Sequence, residues 1–130
     1  RPMNLSVHNN ELYVADYWND RIQVFSLEGI PLRSIGKQGT GSAEFNSPGG
    51  VAIAADSSLF VADFYNNRVQ KFSNEGKFLV SITTTSNKSF GEMNHPTSMV
   101  EDQNGFLYVV DSGNNRIIKF KENMEKNHEK

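Results

Sequence analysis

The chain has 130 residues, of which 37% are hydrophobic and 22% charged, and its net charge is −2. This length holds one domain of ordinary size, the composition is that of a folded and rather polar protein, and the charge gives no reason to expect nucleic acid or an anionic membrane as partner. The absence of cysteine excludes disulfides and thiolate metal sites, and no apolar stretch approaches the roughly 18 to 20 residues that cross a bilayer.

The chain begins at Arg1, without an initiator methionine or a signal-like apolar region. From this we expect an excised piece of a longer protein or a processed product. The sequence indicates no cellular compartment.

One pattern of two short apolar runs joined by a polar turn occurs three times. It reads LYVADYWNDRIQVF at residues 12–25, LFVADFYNNRVQKF at 59–72 and LYVVDSGNNRIIKF at 107–120. Asp16, Asp63 and Asp111 are separated by 47 and 48 residues, and an arginine follows each of them five positions later. A fixed period of this size is typical of solenoids, propellers and helical repeats.

The first unit covers about residues 1–36 and the second about 46–83. In the second unit, short runs rich in β-branched and aromatic residues predict strands at about 49–55, 59–63, 68–73 and 78–82. Turn residues separate them, and no apolar stripe of period 3.6 persists long enough for a helix. Four antiparallel strands per repeat of this length describe a propeller blade. The segments LYVA and LFVA place apolar residues on both faces of the sheet. This predicts that a blade is packed between two neighbouring blades.

The third unit covers about residues 94–121 and has only three such runs. Residues 122–130 contain no apolar run and are predicted to be a charged tail or a short frayed helix. We therefore expect an all-β propeller segment over residues 1–121 with about three four-stranded blades, the last incomplete. Six blades need roughly 280 residues, so the chain is expected to be part of a larger propeller, or to associate with itself or with another chain.

The repeat resembles the NHL repeat. The family pattern corresponds here to Pro48, Gly50–Ala52, Leu59–Asp63, Asn66–Phe72 and Gly76, and the linker IGKQGTGSAEFNSPGG at 35–50 is similar to the family's glycine-rich connection between blades. The resemblance implies a six-bladed β-propeller, as in tripartite-motif proteins, a peptide-amidating lyase and many bacterial surface and sensor proteins. GKQGTG is not interpreted as a phosphate loop, since it lacks the Gly-Lys-Ser/Thr ending and no helix follows.

Each repeated aspartate and arginine lie at opposite sides of a hairpin mouth. They are expected to meet there, to satisfy backbone groups of the turn and to tie one blade to the next. Asp16, Asp63 and Asp111 are therefore predicted to be structural, because a catalytic site seldom needs three copies.

The loops between the second and third strands define a candidate binding face. This face gathers aromatic and basic side chains, with further ones from the connections between blades: Tyr17, Trp18, Arg21, Phe64, Tyr65, Arg68, His95, Arg116, Lys37 and Lys88. Aromatic residues beside arginines anchor protein interfaces, and the same mixture stacks single-stranded bases. The alternative is that the aromatic rings only cover the hairpin ends. In the third unit Ser112 and Gly113 replace the aromatic pair, so an aromatic patch ends there.

Enzymatic chemistry is not indicated. Three histidines are present, His8, His95 and His128. In the amidating lyase, metal-bound histidines come from several blades, and the segment similar to MNHPTSM at 93–99 has a histidine directly after the proline, where this chain has Thr97. No catalytic residue, metal site or cofactor is predicted, although calcium bound in a central channel by carbonyls or carboxylates stays an open alternative.

The predicted function is a non-enzymatic interaction scaffold that binds a protein or peptide through its loop face. Two alternatives stay open: an RNA-binding NHL domain as in tripartite-motif proteins, and a fragment of a propeller lyase or hydrolase with a metal site in the central channel.

Overall fold

The computed structural model describes residues 1–84 and 91–121, so Lys88, His128 and the predicted tail lie outside the described residues. Its main strands form three antiparallel sheets in chain order, which we call blades 1, 2 and 3. Blade 1 contains β1 Pro2–His8, β2 Glu11–Asp16, β3 Arg21–Ser26 and β4 Pro31–Ile35. Blade 2 contains β7 Pro48–Ile53, β8 Leu59–Asp63, β9 Arg68–Phe72 and β10 Phe78–Ile82. Blade 3 contains β11 Pro96–Glu101, β12 Phe106–Asp111 and β13 Arg116–Lys121.

The second and third strands pair in the same register in all three blades. Each repeated aspartate is the last residue of the second strand and pairs directly with the arginine that opens the third strand. A short 3₁₀ turn joins the two strands, at Tyr17–Asn19, Phe64–Asn66 and Ser112–Asn114. The residue after each turn has a left-handed backbone, and the sequence supplies Asp20, Asn67 and Asn115 there, residue types that tolerate this conformation.

The connection from blade 1 to blade 2 is ordered by a small parallel pair, β5 Lys37–Gln38 and β6 Glu44–Phe45. Phe45 is fully buried and its ring lies against the backbone of Gly36, where a Cβ atom would be 2.2 Å from the ring. Gly36 also has a φ of 91°, so both its backbone and the ring favour glycine. The linker thus inserts an aromatic side chain into the core between the first two blades.

Two apolar layers hold the blades together. We call the face of a blade that points toward the following blade its front face, and the opposite one its back face. The first layer joins the front of blade 1 to the back of blade 2, and the second joins the front of blade 2 to the back of blade 3. β8 is consequently buried at all five positions, whereas β2 and β12 are buried on one face only.

The predicted architecture is confirmed: the chain is an all-β propeller segment whose first two blades are four-stranded and whose third has three strands among the described residues. Two of the four predicted strands of blade 2 have the predicted bounds, and the other two differ by one or two residues at their ends. In the described ranges, 1–84 and 91–121, the model has no helix with the length and apolar character to cross a membrane.

Candidate functional site: the loop face

The aspartate and arginine of each repeat form an ion pair at the loop end of their blade. The arginine Nε donates to the aspartate Oδ2 at 3.0 Å for Arg21 and Asp16, and at 2.8 Å for Arg68 and Asp63. Arg116 repeats the contact with Asp111 at 2.6 Å. Each pair closes the mouth of the hairpin that carries the turn residues.

These pairs also fix the segment that enters the blade. The Oδ1 atom of Asp63 accepts from the backbone N–H of Asn46 at 2.8 Å, and the terminal nitrogen of Arg68 donates to the carbonyls of Gly41 and Glu44 at 2.8 Å. Asp111 and Arg116 make the equivalent hydrogen bonds to the backbone of the segment before blade 3. In blade 1 the backbone nitrogen of Arg1 occupies this position, 3.2 Å from Asp16.

A second contact joins neighbouring blades, and the sequence reasoning missed it. The side-chain oxygen of Asp20 accepts from the backbone N–H of Ser47 at 2.7 Å, and that of Asn67 accepts from the backbone N–H of His95 at 2.9 Å. Both acceptors are the left-handed residues that follow the turns. Each of them directly precedes the repeated arginine, in NDR at 19–21 and NNR at 66–68, and this pattern by itself indicates only a turn.

Four of the predicted binding residues come together as one aromatic cluster, formed by Tyr17, Phe64, Tyr65 and His95. The His95 ring stacks on Phe64 with a centroid separation of 4.4 Å and an angle of 8° between the ring planes. Tyr65 packs edge-on against Phe64 at 4.8 Å and against His95 at 5.4 Å. Tyr17 reaches Phe64 at 6.0 Å and Tyr65 at 6.5 Å. The cluster therefore spans the loop ends of blades 1 and 2 and takes its histidine from the start of blade 3.

Part of this cluster faces solvent. Tyr65 is 50% exposed, while Tyr17, Phe64 and His95 are half-buried. Burial, together with the neighbouring Tyr65 hydroxyl, raises the pKa of Tyr17 above its ordinary value of 10.0, so the phenol keeps its proton at neutral pH and further into the alkaline range. The exposed portion thus combines apolar ring surface with phenolic hydroxyls.

Trp18 lies on the same face and is 65% exposed. It is not part of the aromatic cluster, and the guanidinium of Arg1 lies 5.2 Å from its ring centroid. Burial alone would raise the pKa of Asp16 nearby, but hydrogen bonds from Asn19, Arg21 and the amino terminus lower it overall. Asp16 is therefore a carboxylate that is already held by cations and amide groups.

The three predicted arginines differ in how much of the side chain is available. Arg21 is 40% exposed, whereas Arg68 is 13% and Arg116 18% exposed. The last two donate to carboxylates and carbonyls of the fold itself. Lys37 is 79% exposed, and its nearest carboxylate oxygen, on Glu44, is 3.9 Å away. Among the described residues, the exposed positive charge of the face therefore lies mainly at its blade 1 side.

In the part of the chain that the structure describes, no group of three or more histidine, cysteine or acidic side chains is arranged to hold a metal ion. His8 lies at the opposite end of the blades, with its Nε2 atom 2.9 Å from the hydroxyl of Ser57. His8 and His95 are thus held apart and engaged in different contacts.

Family models match the chain in two places. A model described as a 6-bladed beta-propeller matches residues 1–85, and an NHL repeat model matches residues 93–120. Together they cover blades 1 and 2 and most of blade 3. None of the curated proteins matches the chain.

Solved structures resemble it at low identity. A catalytically inactive virginiamycin B lyase from Staphylococcus aureus with quinupristin is 15% identical, with a TM-score of 0.72 over 99% of this chain and 40% of that one. A chain of a nidogen/laminin complex is 17% identical, with a TM-score of 0.73 over 99% of this chain and 45% of that one. A putative exported protein from Bacteroides fragilis is 16% identical, with a TM-score of 0.70 over 98% of this chain and 35% of that one.

The present chain spans about two fifths of the length of the lyase that it matches. At these identities the likeness shows the fold alone, and that fold is the β-propeller. The first family model covers well over half of the chain, and the second repeats the motif in blade 3. The chain therefore belongs to the 6-bladed beta-propeller family and is built from repeats of the NHL type.

Proposed function

We propose that this chain is a non-enzymatic interaction scaffold whose loop face binds a protein or peptide. The observation that carries the proposal is the aromatic cluster, which is assembled from three blades and leaves Tyr65 half exposed. Trp18 adds a second exposed ring on the same face. Tryptophan, tyrosine and arginine are the residue types that dominate the binding energy of protein interfaces.

The rings are held in place before any ligand arrives. Phe64 and Tyr65 lie in a 3₁₀ turn between the paired residues Asp63 and Arg68, and His95 is fixed through its backbone bond to Asn67. A preorganised aromatic surface loses little conformational entropy on binding, which favours affinity. This supports a recognition role over rings that only cover the hairpin ends.

The charges of the face suggest which peptides fit. Arg1 lies over Trp18, and Arg21 keeps 40% of its side chain exposed. A fitting peptide is an extended segment with an apolar or aromatic side chain next to a carboxylate. The apolar side chain would lie against the rings, and the carboxylate would lie near these guanidinium groups. RNA is less well supported, because Arg68 and Arg116, two of the predicted binding cations, already donate to the fold and are mostly buried.

The test is selection of displayed random peptides on the immobilised chain, followed by fluorescence anisotropy of the labelled peptides. Their affinity is expected to fall at least about tenfold when Trp18→Ala and Tyr65→Ala are combined. The control is Leu27→Ala with Ile30→Ala, which removes comparable exposed apolar surface from the β3–β4 turn of blade 1.

Peptides that bind both double variants equally would contradict the proposal. So would single-stranded RNA that outcompetes every selected peptide in a salt-dependent way, since this would identify the face as a nucleic-acid surface.

A further inference from the structure

The imidazole of His95 is not needed for the joint between blades 2 and 3. That joint uses the backbone N–H of His95, which donates to the Asn67 side chain at 2.9 Å. At the joint between blades 1 and 2 the N–H of Ser47 donates to Asp20 in the same way, at 2.7 Å. Ser47 and His95 also share a left-handed backbone, with φ values of 61° and 55°. A serine and a histidine thus serve equivalent joints, and the imidazole is available for another purpose.

The ring of His95 is held in place while its nitrogen atoms stay unused by the fold. It stacks on Phe64 at 4.4 Å with 8° between the ring planes, and it packs edge-on against Tyr65 at 5.4 Å. Because the N–H bonds of an imidazole lie in its ring plane, a parallel stack directs them away from the Phe64 ring. Across residues 1–84 and 91–121 neither ring nitrogen has a hydrogen-bond partner. Neither is a buried unsatisfied atom, so both are open to solvent.

The imidazole is the group of the aromatic cluster whose charge responds to mild acid. Histidine is the residue type that ordinarily changes charge between about pH 5 and 8. The other titratable members of the cluster are the phenols of Tyr17 and Tyr65. Phenols ordinarily lose their proton only near about pH 10, and burial raises the pKa of Tyr17 above that value. Mild acid therefore adds one positive charge to the cluster, on His95.

The charges around the ring leave this positive charge without a carboxylate. The charged residues of the two neighbouring hairpins are already paired with each other: Asp63 with Arg68, and Asp111 with Arg116. Glu92, three residues before His95, is exposed, where water and salt screen its charge. In the described ranges no acidic side chain forms an ion pair with the imidazole. A carboxylate that pairs with the protonated ring can therefore come from a bound partner.

We infer that His95 makes ligand binding at the loop face sensitive to acid. The inference rests on the proposed function and concerns a peptide that carries a carboxylate. The protonated imidazole donates from both ring nitrogens, so it gives that carboxylate a charge-assisted hydrogen bond in place of the weaker one from the neutral ring. Protonation also puts a cation over the face of Phe64, which strengthens the stack. Affinity for an acidic peptide thus rises as the pH falls from 8 to 5.5, and by reciprocity the bound peptide raises the pH at which His95 takes up its proton.

The test is fluorescence anisotropy, between pH 8 and 5.5, of an acidic peptide selected by display on the immobilised chain. The affinity of the wild-type chain is expected to rise about three- to tenfold over this range. His95→Ser, which installs the residue of the preceding joint, should remove the rise, and so should a peptide whose carboxylates are replaced by amides. His8→Gln and His128→Gln are the controls and should keep it, because His8 lies at the opposite end of the blades.

Proton NMR of the His95 ring, assigned by its loss in His95→Ser, follows the protonation itself, and its midpoint should move to higher pH when the peptide is bound. The quantity compared between variants is the ratio of affinities at the two pH values, so a uniform loss of affinity in His95→Ser does not count as support. A wild-type affinity that is the same at pH 8 and 5.5, or a rise that persists in His95→Ser, would overturn the inference and leave the proposed function standing. Failure of every displayed peptide to bind at either pH would overturn both.

Discussion

Arg68 and Asp63 form an ion pair that is shielded from solvent almost completely. The Nε atom of Arg68 donates to Oδ2 of Asp63 at 2.8 Å, and the aspartate side chain has no solvent exposure. The corresponding pair of blade 1 has nearly the same geometry, yet Arg21 is 40% exposed. The connection covers Arg68, which donates to the carbonyls of Gly41 and Glu44, whereas in blade 1 the amino group of Arg1 donates to Asp16.

Replacing Arg68 with alanine should therefore destabilise the fold more than replacing Arg21. Arg68→Ala removes the cationic partner of the buried Asp63 carboxylate and one donor from each of two carbonyls, with an expected loss of about 1–3 kcal/mol in the free energy of unfolding. Arg21→Ala removes a half-solvated partner and should cost less than about 1 kcal/mol. Urea denaturation of the two variants measures both values, and equal losses would show that the burial of the pair does not matter.

The approach of blade 3 to blade 2 predicts an asymmetry between two adjacent glycines. A Cβ atom on Gly50 would lie 2.4 Å from the carbonyl oxygen of Thr97, whereas the nearest atom to a Cβ on Gly49 would be 3.8 Å away. Gly50→Ala must push two inner strands apart and should lower the free energy of unfolding by about 1–3 kcal/mol. Gly49→Ala has ordinary contacts and should be neutral within about 0.5 kcal/mol, as thermal or urea unfolding would show. A tolerated Gly50→Ala would mean that β7 and β11 are less closely packed than described.

Acid should weaken the joint between blades 1 and 2 on the side opposite the loop face. Hydrogen bonds from the Arg33 guanidinium lower the pKa of Glu11 below its ordinary value of 4.5, and Arg33 also donates to the hydroxyl of Tyr13 and the carbonyl of Asn74. Because the folded-state pKa is the lower one, the contribution of Glu11 is fully present above the ordinary value. It is lost as the pH falls through the folded pKa.

The free energy of unfolding should therefore fall less steeply below about pH 4.5 in Glu11→Gln than in the wild type. Denaturation at a series of pH values measures the slope. Glu28→Gln, in the exposed β3–β4 turn, serves as the control and should keep the wild-type slope. Parallel profiles for all three proteins would contradict the prediction.

Trp18 is the chain's single tryptophan and reports on the loop face directly. It is 65% exposed with the Arg1 guanidinium 5.2 Å from its ring centroid, so an anion should approach the indole more readily than a cation. Iodide is expected to quench its fluorescence more efficiently than caesium, and Arg1→Ala should narrow the difference. Equal quenching in the wild type would place Arg1 away from the ring in solution.

Strand positions and blade type could be predicted because they depend on local pattern. Alternating apolar residues and turn chemistry around positions 59–63 and 68–72 specify a hairpin whatever surrounds it, and the 47-residue period specifies how many such hairpins there are. The meeting of Asp63 with Arg68 follows from the same register, since the two are directly paired across the hairpin.

Solvent exposure of the site residues could not be predicted in this way. Arg21 and Arg68 are equivalent in the repeat, and only the path of the connecting segment makes one half exposed and the other covered. The stacking of His95 on Phe64 depends on how blade 3 docks, which is a contact between units 31 residues apart in sequence. Such contacts are set by tertiary packing and leave no periodic signal.

The bond from Asn67 to His95 has a further consequence for how such a surface can change. Asn67 accepts from a backbone N–H, as Asp20 does at Ser47, so the hydrogen bond uses no side-chain atom at the donor position. The left-handed backbone of Ser47 and His95 is the constraint that remains, and it disfavours β-branched residues there. Serine occupies that position before blade 2 and histidine before blade 3, where the imidazole joins the aromatic cluster. Both junctions of the described residues thus offer a position where a substitution can change the side chains of the loop face while the framework keeps its hydrogen bond.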